Sequence, residues 1–507
     1  MVKPSSLGNG GLRDVINPPL ALGERPIGEI KLDLKSRDDI PKLLIGLQHL
    51  YVTPGLREEV FAILREVIPE RAGGGKASAA LGRPGLSQWR ILVLGVVRLG
   101  LDADYDRLQE LANQHLTLRL MLGHSEWDAP HRYEVQTLKD NLRLFTPEVL
   151  DRINAVVVRA GHALVRKSPE EGLRGRCDSF VVETDVHFPT DSNLLYDAIR
   201  KVIEESAQLS GRYDLGGWRQ HRYRLRQFKR QYRRIQTRKH STAQDIAKRE
   251  IRQAALRDAH REYLALAERY LDDARTTRTD ALAAGCAPWD VAALDGYRVH
   301  AERQIDQIRR RVLLGETIPH AEKVFSIFQP HTEWISKGKA GVPVELGLKV
   351  CILEDHHRFI LHHQVMVKQT DDQIAVAMVA AAQARFPALR AVSFDKGFWR
   401  PANRQALDER LDLVGLPKKG RLAAQDLARE TDPAFVAARR QHAAVESAIN
   451  GLESFGLDRC PDHGLTGFQR YVAWAVLARN LHRLGLVVRE RQARRKSRLQ
   501  KLPARAV

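Results

Sequence analysis

Apolar positions along this chain change period, and the change divides it. From Ser87 to Arg166 they recur at helical spacing, as in Trp89, Leu92, Val96 and Val97, a repeat that turns one helix face toward a core. Asp104 is placed to cap a helix Tyr105–Gln114, and a short helix Thr117–Leu122 ends at Gly123. Two more helices are predicted over Tyr133–Leu144 and Pro147–Val165, the latter with Pro in its first turn. Upstream, residues 1–86 read as a flexible lead-in: a Pro- and Gly-rich start over 1–32, a short helical segment at Pro41–Leu64, and a Gly-rich linker from Pro69 to Gly85.

Strand signals begin with the run Phe180–Thr184, closed by Asp185. Residues 192–320 then show almost none. They read as a block of helices, with Asp245–Asp273 and Asp290–Leu313 packed against a basic helix between Asp214 and Asp245. In that basic helix Leu225, Phe228, Tyr232 and Ile235 form one apolar stripe. Strands return as a hairpin, Leu346–Leu353 and Phe359–Met366, turning through Glu354–Arg358. After it come a helix Asp372–Arg385 capped by Thr370 or Asp371, a strand closed by Asp395, a helix Pro401–Arg410 and a strand Asp412–Leu416. A helical region from about Ala434 holds Glu446, a further helix spans Gly467–Leu484, and residues 486–507 form a basic tail expected to fray.

With 192–320 taken as an insertion after the first strand, the order is β-β-β-α-β-α-β-α. Three antiparallel strands followed by parallel α/β units is the connectivity of a ribonuclease H-like mixed sheet. The expected architecture is thus an α/β catalytic domain (residues 171–191 and 321–485) interrupted by a basic helical insertion (192–320). An all-helical domain for DNA binding or dimerisation (87–170) precedes it, and its short helices admit a helix-turn-helix.

Charge sharpens this picture. The 507 residues carry a formal net charge of +19, which favours a polyanionic partner, because each Lys or Arg on a phosphate releases condensed counterions. No acid occurs between Asp214 and Asp245, a stretch that includes Arg219, Arg222, Arg226, Lys229, Arg230, Arg233 and Arg234. These are candidate phosphate contacts. So are Lys337 and Lys339 in a Gly-containing loop, together with Lys396 and Arg440. The four cysteines are far apart and form no CxxC pair, so neither a zinc knuckle nor a disulfide framework is expected. The paired histidines His356, His357, His362 and His363 lack an accompanying Cys or carboxylate framework in sequence and are not expected to hold metal. A signal-peptide core and a membrane-length apolar run are both missing, which points to the cytoplasm or nucleoid rather than a membrane.

Three distant acids, Asp185, Asp395 and Glu446, stand at two strand ends and on a helix face. In the expected sheet the first and fourth strands are neighbours, which would bring these carboxylates to one point. A site of carboxylates without His or Cys suits hard cations such as Mg²⁺, with Mn²⁺ able to substitute. Two such ions could flank a scissile phosphate.

The segments Val182–Asp191, Phe394–Phe398 and Gln441–Ser447 resemble the three blocks of bacterial insertion-sequence DDE transposases, in particular the group catalogued as ISNCY. The loop Trp334–Lys339 and the run Arg107–Asn113 through Leu122–His124 resemble that group as well. The resemblance spans about residues 87–482. It implies a metal-dependent DNA strand transferase with Asp185, Asp395 and Glu446 as its triad. It also implies terminal inverted repeats and target DNA as partners, and a homodimer or larger assembly on DNA. The flanks depart from the related pattern Tyr-x2-Arg-x3-Glu-x6-Lys, since Arg439, His442 and Glu453 occupy those positions. Two alternatives are a catalytically silent DNA-binding descendant and a nuclease of the same fold that never joins strands.

Overall fold

The structure is a computed structural model that describes residues 24–67, 86–125, 132–168, 171–239, 245–336 and 344–500. It divides into two compact units, Met1–Asp185 with Gly347–Val507, and Val186–Leu346. The predicted linker over Pro69–Gly85 lies outside the described residues.

The first unit opens with seven helices: α1 (Ile40–Val52), α2 (Pro54–Leu64), α3 (Gln88–Gly100), α4 (Tyr105–Gln114), α5 (Leu116–Met121), α6 (Val135–Leu142) and α7 (Pro147–Val165). Their ends follow the capping residues. The Asp104 carboxylate accepts from the Arg107 N–H at 2.7 Å, and Thr146 caps α7 ahead of Pro147. Strand β1 (Leu173–Thr184) follows. It starts well before its apolar run, because Leu173, Gly175 and Cys177 alternate inward while Arg174, Arg176 and Asp178 take the other face.

The second unit holds the helical insertion: α8 (Asp191–Arg212), α9 (His221–Lys239), α10 (Ile246–Ala283) and α11 (Ala292–Ile308), then strand β2 (Glu333–Ser336). It has its own core, where Phe228 and Ile235 of α9 are fully buried against Tyr263 and Ala267 of α10. The predicted stripe on α9 thus faces inward, with Leu225 and Tyr232 at its margins. Trp334–Ser336, expected in a loop, are strand residues instead.

The rest of the first unit comprises β3 (Val344–Asp355), β4 (Ile360–Met366), α12 (Asp371–Arg385), β5 (Leu389–Phe394), α13 (Pro401–Asp408) and β6 (Leu413–Gly415). It continues through α14 (Ala424–Thr431), α15 (Pro433–His442), α16 (Val445–Leu452), β7 (Arg459–Cys460) and α17 (Leu465–Gln500). The chain is an α/β protein with a mixed seven-stranded sheet. The path is β2-β3-β1-β5-β6, with β4 on β3 and β7 on β1. β1 runs antiparallel to β3 and parallel to β5. The helical region around Glu446 is two helices rather than one, broken at Ala443–Ala444. The expected basic tail is helical through Gln500 as part of α17.

Two boundaries differ from expectation for one reason, which is that α17 is the spine of the first unit. α1, α3 and α7 all pack on it. Leu43, Leu44, Leu47 and Leu50 of α1 are completely buried, so this segment is core and not part of a loose lead-in. The helices of 87–165 likewise share one continuous core with the sheet. A buried amide locks the arrangement: Asn480 of α17 accepts from Ile360 N–H and donates to Ile360 C=O, both at 2.9 Å, and donates to Asn154 of α7 at 2.7 Å.

Contact between α1 and α17 depends on two glycines. A Cβ at Gly46 would press into the Leu481 carbonyl oxygen, and one at Gly485 would lie 2.6 Å from the Lys42 carbonyl oxygen. Backbone cannot yield there as a flexible side chain would. Gly46→Ala is therefore expected to lower stability by about 1–3 kcal/mol, whereas Gly55→Ala, with nothing within 4 Å, is expected to be neutral or slightly stabilising. Urea unfolding of both variants checks this. Equal stability at position 46 would return α1 to the role of a detachable lead-in.

Candidate active site

The pairing of β1 with β5 decides which acids meet. Cys177 pairs with Phe394 in this parallel ladder, so the next residues along lie side by side, Asp178 within β1 and Asp395 just past the end of β5. α16 packs against β1 through its buried face of Val445, Ala448 and Leu452, with Glu446 exposed in its first turn. Asp371, the first residue of α12, completes the group. It accepts from Ser179 Oγ at 2.6 Å and from Lys349 Nζ at 2.9 Å. One point beside the Gly397 backbone lies 3.3 Å from Asp371 Oδ2 and 3.8 Å from Asp395 Oδ2, so these two oxygens are within about 7 Å of each other.

Electrostatics reports the same grouping. The Asp178 carboxyl is pushed up to about 6, first by burial and then by the charges of Asp395, Asp371 and Glu446. His442, at the end of α15, faces Asp395 and Glu446 and has Ser393 Oγ 3.2 Å from its Nδ1. Burial lowers its pKa and the two carboxylates oppose that shift. The position read in sequence as a departure from the related pattern is thus an imidazole beside the acids.

Asp185 is elsewhere. It follows the last residue of β1, seven positions beyond Asp178, or roughly 23 Å at the rise of a strand. There its N–H donates to the Cys460 carbonyl at 3.3 Å, and its exposed carboxylate lies 3.7 Å from Arg459. The expected grouping of Asp185 with Asp395 and Glu446 is therefore corrected. Asp395 and Glu446 come together, and their strand partner is Asp178. The apolar density of Phe180–Val182 marks only the second half of β1, whereas the polar–apolar alternation from Leu173 sets Asp178 inside a central strand.

Other candidates take ordinary places. Glu183 pairs with Arg459 at 3.0 Å, Asp191 with Arg311 at 2.8 Å, and Asp372 with Arg400. Lys396 and Arg440 are exposed, the first adjacent to Asp395 and the second on α15. Lys337 and Lys339 lie outside the described residues. On α9, Arg222, Arg226, Lys229, Arg230 and Arg233 are exposed and have no acidic partner among the described residues, as does Arg219 just before the helix. Arg234 is committed to Glu262.

A cation fits the acidic group chemically. All its donors are carboxylate oxygens, and Asp395, Asp371 and Glu446 put negative charge beside the buried Asp178 carboxyl, which a divalent ion would relieve. No three of these acids bring oxygens within 4.8 Å of one another; among the described residues only Glu171, His356 and His357 form such a group. Lys349 Nζ pairs with Asp371 at 2.9 Å within this group.

No family model, curated protein or solved structure matches the chain. Among the described residues no helix is long and apolar enough to cross a membrane.

Asp178 gives a test independent of any reaction. Its folded-state pKa is raised, so its protonated form favours folding. That contribution is complete below the unfolded value of 3.8 and is lost as pH rises through about 6. Asp178→Asn should therefore match the wild type in stability near pH 3.5 and exceed it by about 1–3 kcal/mol at pH 7.5 without divalent cations. Denaturant titrations at the two pH values measure the difference, and its absence would mean that neither burial nor the neighbouring acids disfavour the Asp178 carboxylate.

Proposed function

We propose that the chain is a DNA strand transferase of the DDE transposase type, built on a ribonuclease H-like sheet, with Asp178, Asp395 and Glu446 as its catalytic carboxylates. One observation carries the reading: a parallel ladder sets two acids side by side on adjacent central strands, and a helix adds a third to the same electrostatic group. Arrangements of this kind suit phosphoryl transfer, where positioning and charge stabilisation do most of the work. Asp178, Asp395 and Glu446 would hold Mg²⁺ or Mn²⁺, which when bound would polarise the scissile phosphate and acidify the attacking hydroxyl.

The chain's own contribution is to place that chemistry. Parallel pairing fixes Asp178 and Asp395 on a rigid sheet. Glu446 sits on a separate short helix that can adjust. Lys349 and Ser179 tie down Asp371 beside them. In strand cleavage a water oxygen would form the new P–O bond as the bond to the 3′ oxygen breaks. In joining, a free 3′-hydroxyl would attack instead and displace the target strand's 3′ oxygen.

The second support is the basic face of α9. Arg222, Arg226, Lys229, Arg230 and Arg233 recur over about 16 Å of helix axis, long enough to follow several backbone phosphates. The opposite face of the helix is consumed by its own core. Double-stranded DNA, including element ends and target, is the partner this charge pattern suits.

The decisive assay is Mg²⁺- or Mn²⁺-dependent nicking and joining on DNA carrying the inverted repeats that flank the coding sequence. Asp178→Asn, Asp395→Asn and Glu446→Gln should each reduce cleavage by about 10³-fold or more, while Asp185→Asn stays within a few-fold of wild type. Full activity in Asp178→Asn would overturn the proposed triad. Cleavage without joining would indicate a nuclease, and end-binding without cleavage a silent DNA-binding protein.

Changing Arg226, Arg230 and Arg233 together to Ala should weaken DNA binding uniformly across sequences. It should also flatten the dependence of log K on log salt by up to about 3. Binding titrations at several salt concentrations measure that slope, and an unchanged slope removes α9 from the interface.

A further inference from the structure

The first unit holds a second donor set whose chemistry is different. Glu171 precedes β1, while His356 and His357 form the turn between β3 and β4. Their ligand atoms all lie within 4.8 Å of one another. His356 Nε2 is 3.6 Å and His357 Nε2 is 3.7 Å from the same carboxylate oxygen, Glu171 Oε1. Both separations are too long for hydrogen bonds. They are a few tenths of an ångström above the roughly 3.4 Å expected between two ligands of one tetrahedral zinc with bonds near 2.05 Å. His357 Nε2 is shielded from solvent and has no hydrogen-bond partner, an arrangement that costs free energy unless something occupies the nitrogen.

The cluster is held from outside. The Lys167 N–H donates to the other Glu171 oxygen, Oε2, at 2.7 Å, which holds the carboxylate from the side away from the rings' shared oxygen. Asp355 Oδ1 accepts from the His357 N–H at 2.9 Å, and Arg483 Nε donates to the His357 carbonyl at 3.0 Å, so the turn is fixed on both sides. His356 Nδ1 now accepts from the Arg174 N–H at 3.2 Å, which places the ring's proton on Nε2. Metal loading therefore requires His356 to give up that bond, a local change of one ring.

We propose that Glu171, His356 and His357 form a binding site for a borderline divalent transition metal of the Zn²⁺ class. The site would join the segment ahead of β1 to the β3–β4 turn and leave a fourth position for water. Two imidazoles and one carboxylate select zinc over Mg²⁺, which prefers oxygen donors alone. This site is separate from the carboxylate group and does not depend on strand-transfer activity.

Chelator-stripped full-length protein, titrated with Zn²⁺ by calorimetry in excess Mg²⁺, should bind one zinc per chain. Glu171→Gln and His357→Asn should each weaken that affinity at least about tenfold. In parallel, Co²⁺ added to the wild type should give the intense visible absorption of a four-coordinate ion and lose it on addition of Zn²⁺. Failure of a variant to fold leaves the wild-type Co²⁺ spectrum as the deciding measurement. The proposal is overturned by zinc affinity that is the same in wild type and folded variants, or by a Co²⁺ spectrum of the six-coordinate aqueous kind.

Discussion

The register between β1 and β5 fixes which acids of the sheet come together. Because the two strands run parallel, residues one step beyond the pair Cys177–Phe394 lie side by side, Asp178 inside β1 and Asp395 at the end of β5. A slip of one residue would turn Asp178 into the core and Cys177 out, since side chains alternate between faces. Burial of Leu173, Cys177 and Phe394 resists that slip. The apolar packing of the sheet thereby fixes the position of a polar site that contributes nothing favourable to folding by itself.

That site works against stability. Burial raises the Asp178 carboxyl first, and the charges of Asp395, Asp371 and Glu446 raise it further. Lys349 offsets part of that charge by pairing with Asp371. A fold kept only for its stability would gain by replacing Asp178 with a neutral residue of similar size. Retaining it inside a central strand, next to Asp395, is easier to understand for a group that meets a cation or a substrate.

Much of this organisation was legible in the sequence. Helices bounded by strong caps, such as α4 behind Asp104 and α7 behind Thr146 and Pro147, were placed to the residue because the signal is local. The hairpin of β3 and β4 was also clear, as was the helical insertion. What failed was non-local. The start of β1 lies in a stretch of alternating polarity, Leu173 to Asp178, which lacks the apolar density of Phe180–Val182. Its importance comes only from pairing with residues some two hundred positions away. For the same reason α1 looked peripheral: its apolar face is plain, but the partner that buries it, α17, lies at the other end of the chain.

The histidines of the β3–β4 turn show the same limit from the opposite side. In sequence the acids next to them, Glu354 and Asp355, give no metal-ligand spacing, so nothing there points to a ligating carboxylate. In space Glu171 supplies one, brought there because it immediately precedes β1 and the turn returns to the start of that strand, where the His356 N–H donates to the Arg174 carbonyl at 2.9 Å. One strand therefore serves two donor sets about seven residues apart, an all-oxygen group around Asp178 and a nitrogen–oxygen group beside its first residues. Their ligand types sort cations by hardness, so a borderline ion and a hard ion would not compete for one place. Strand β1 is thus the element on which both sites depend, and its register is what a disruptive substitution would most readily cost.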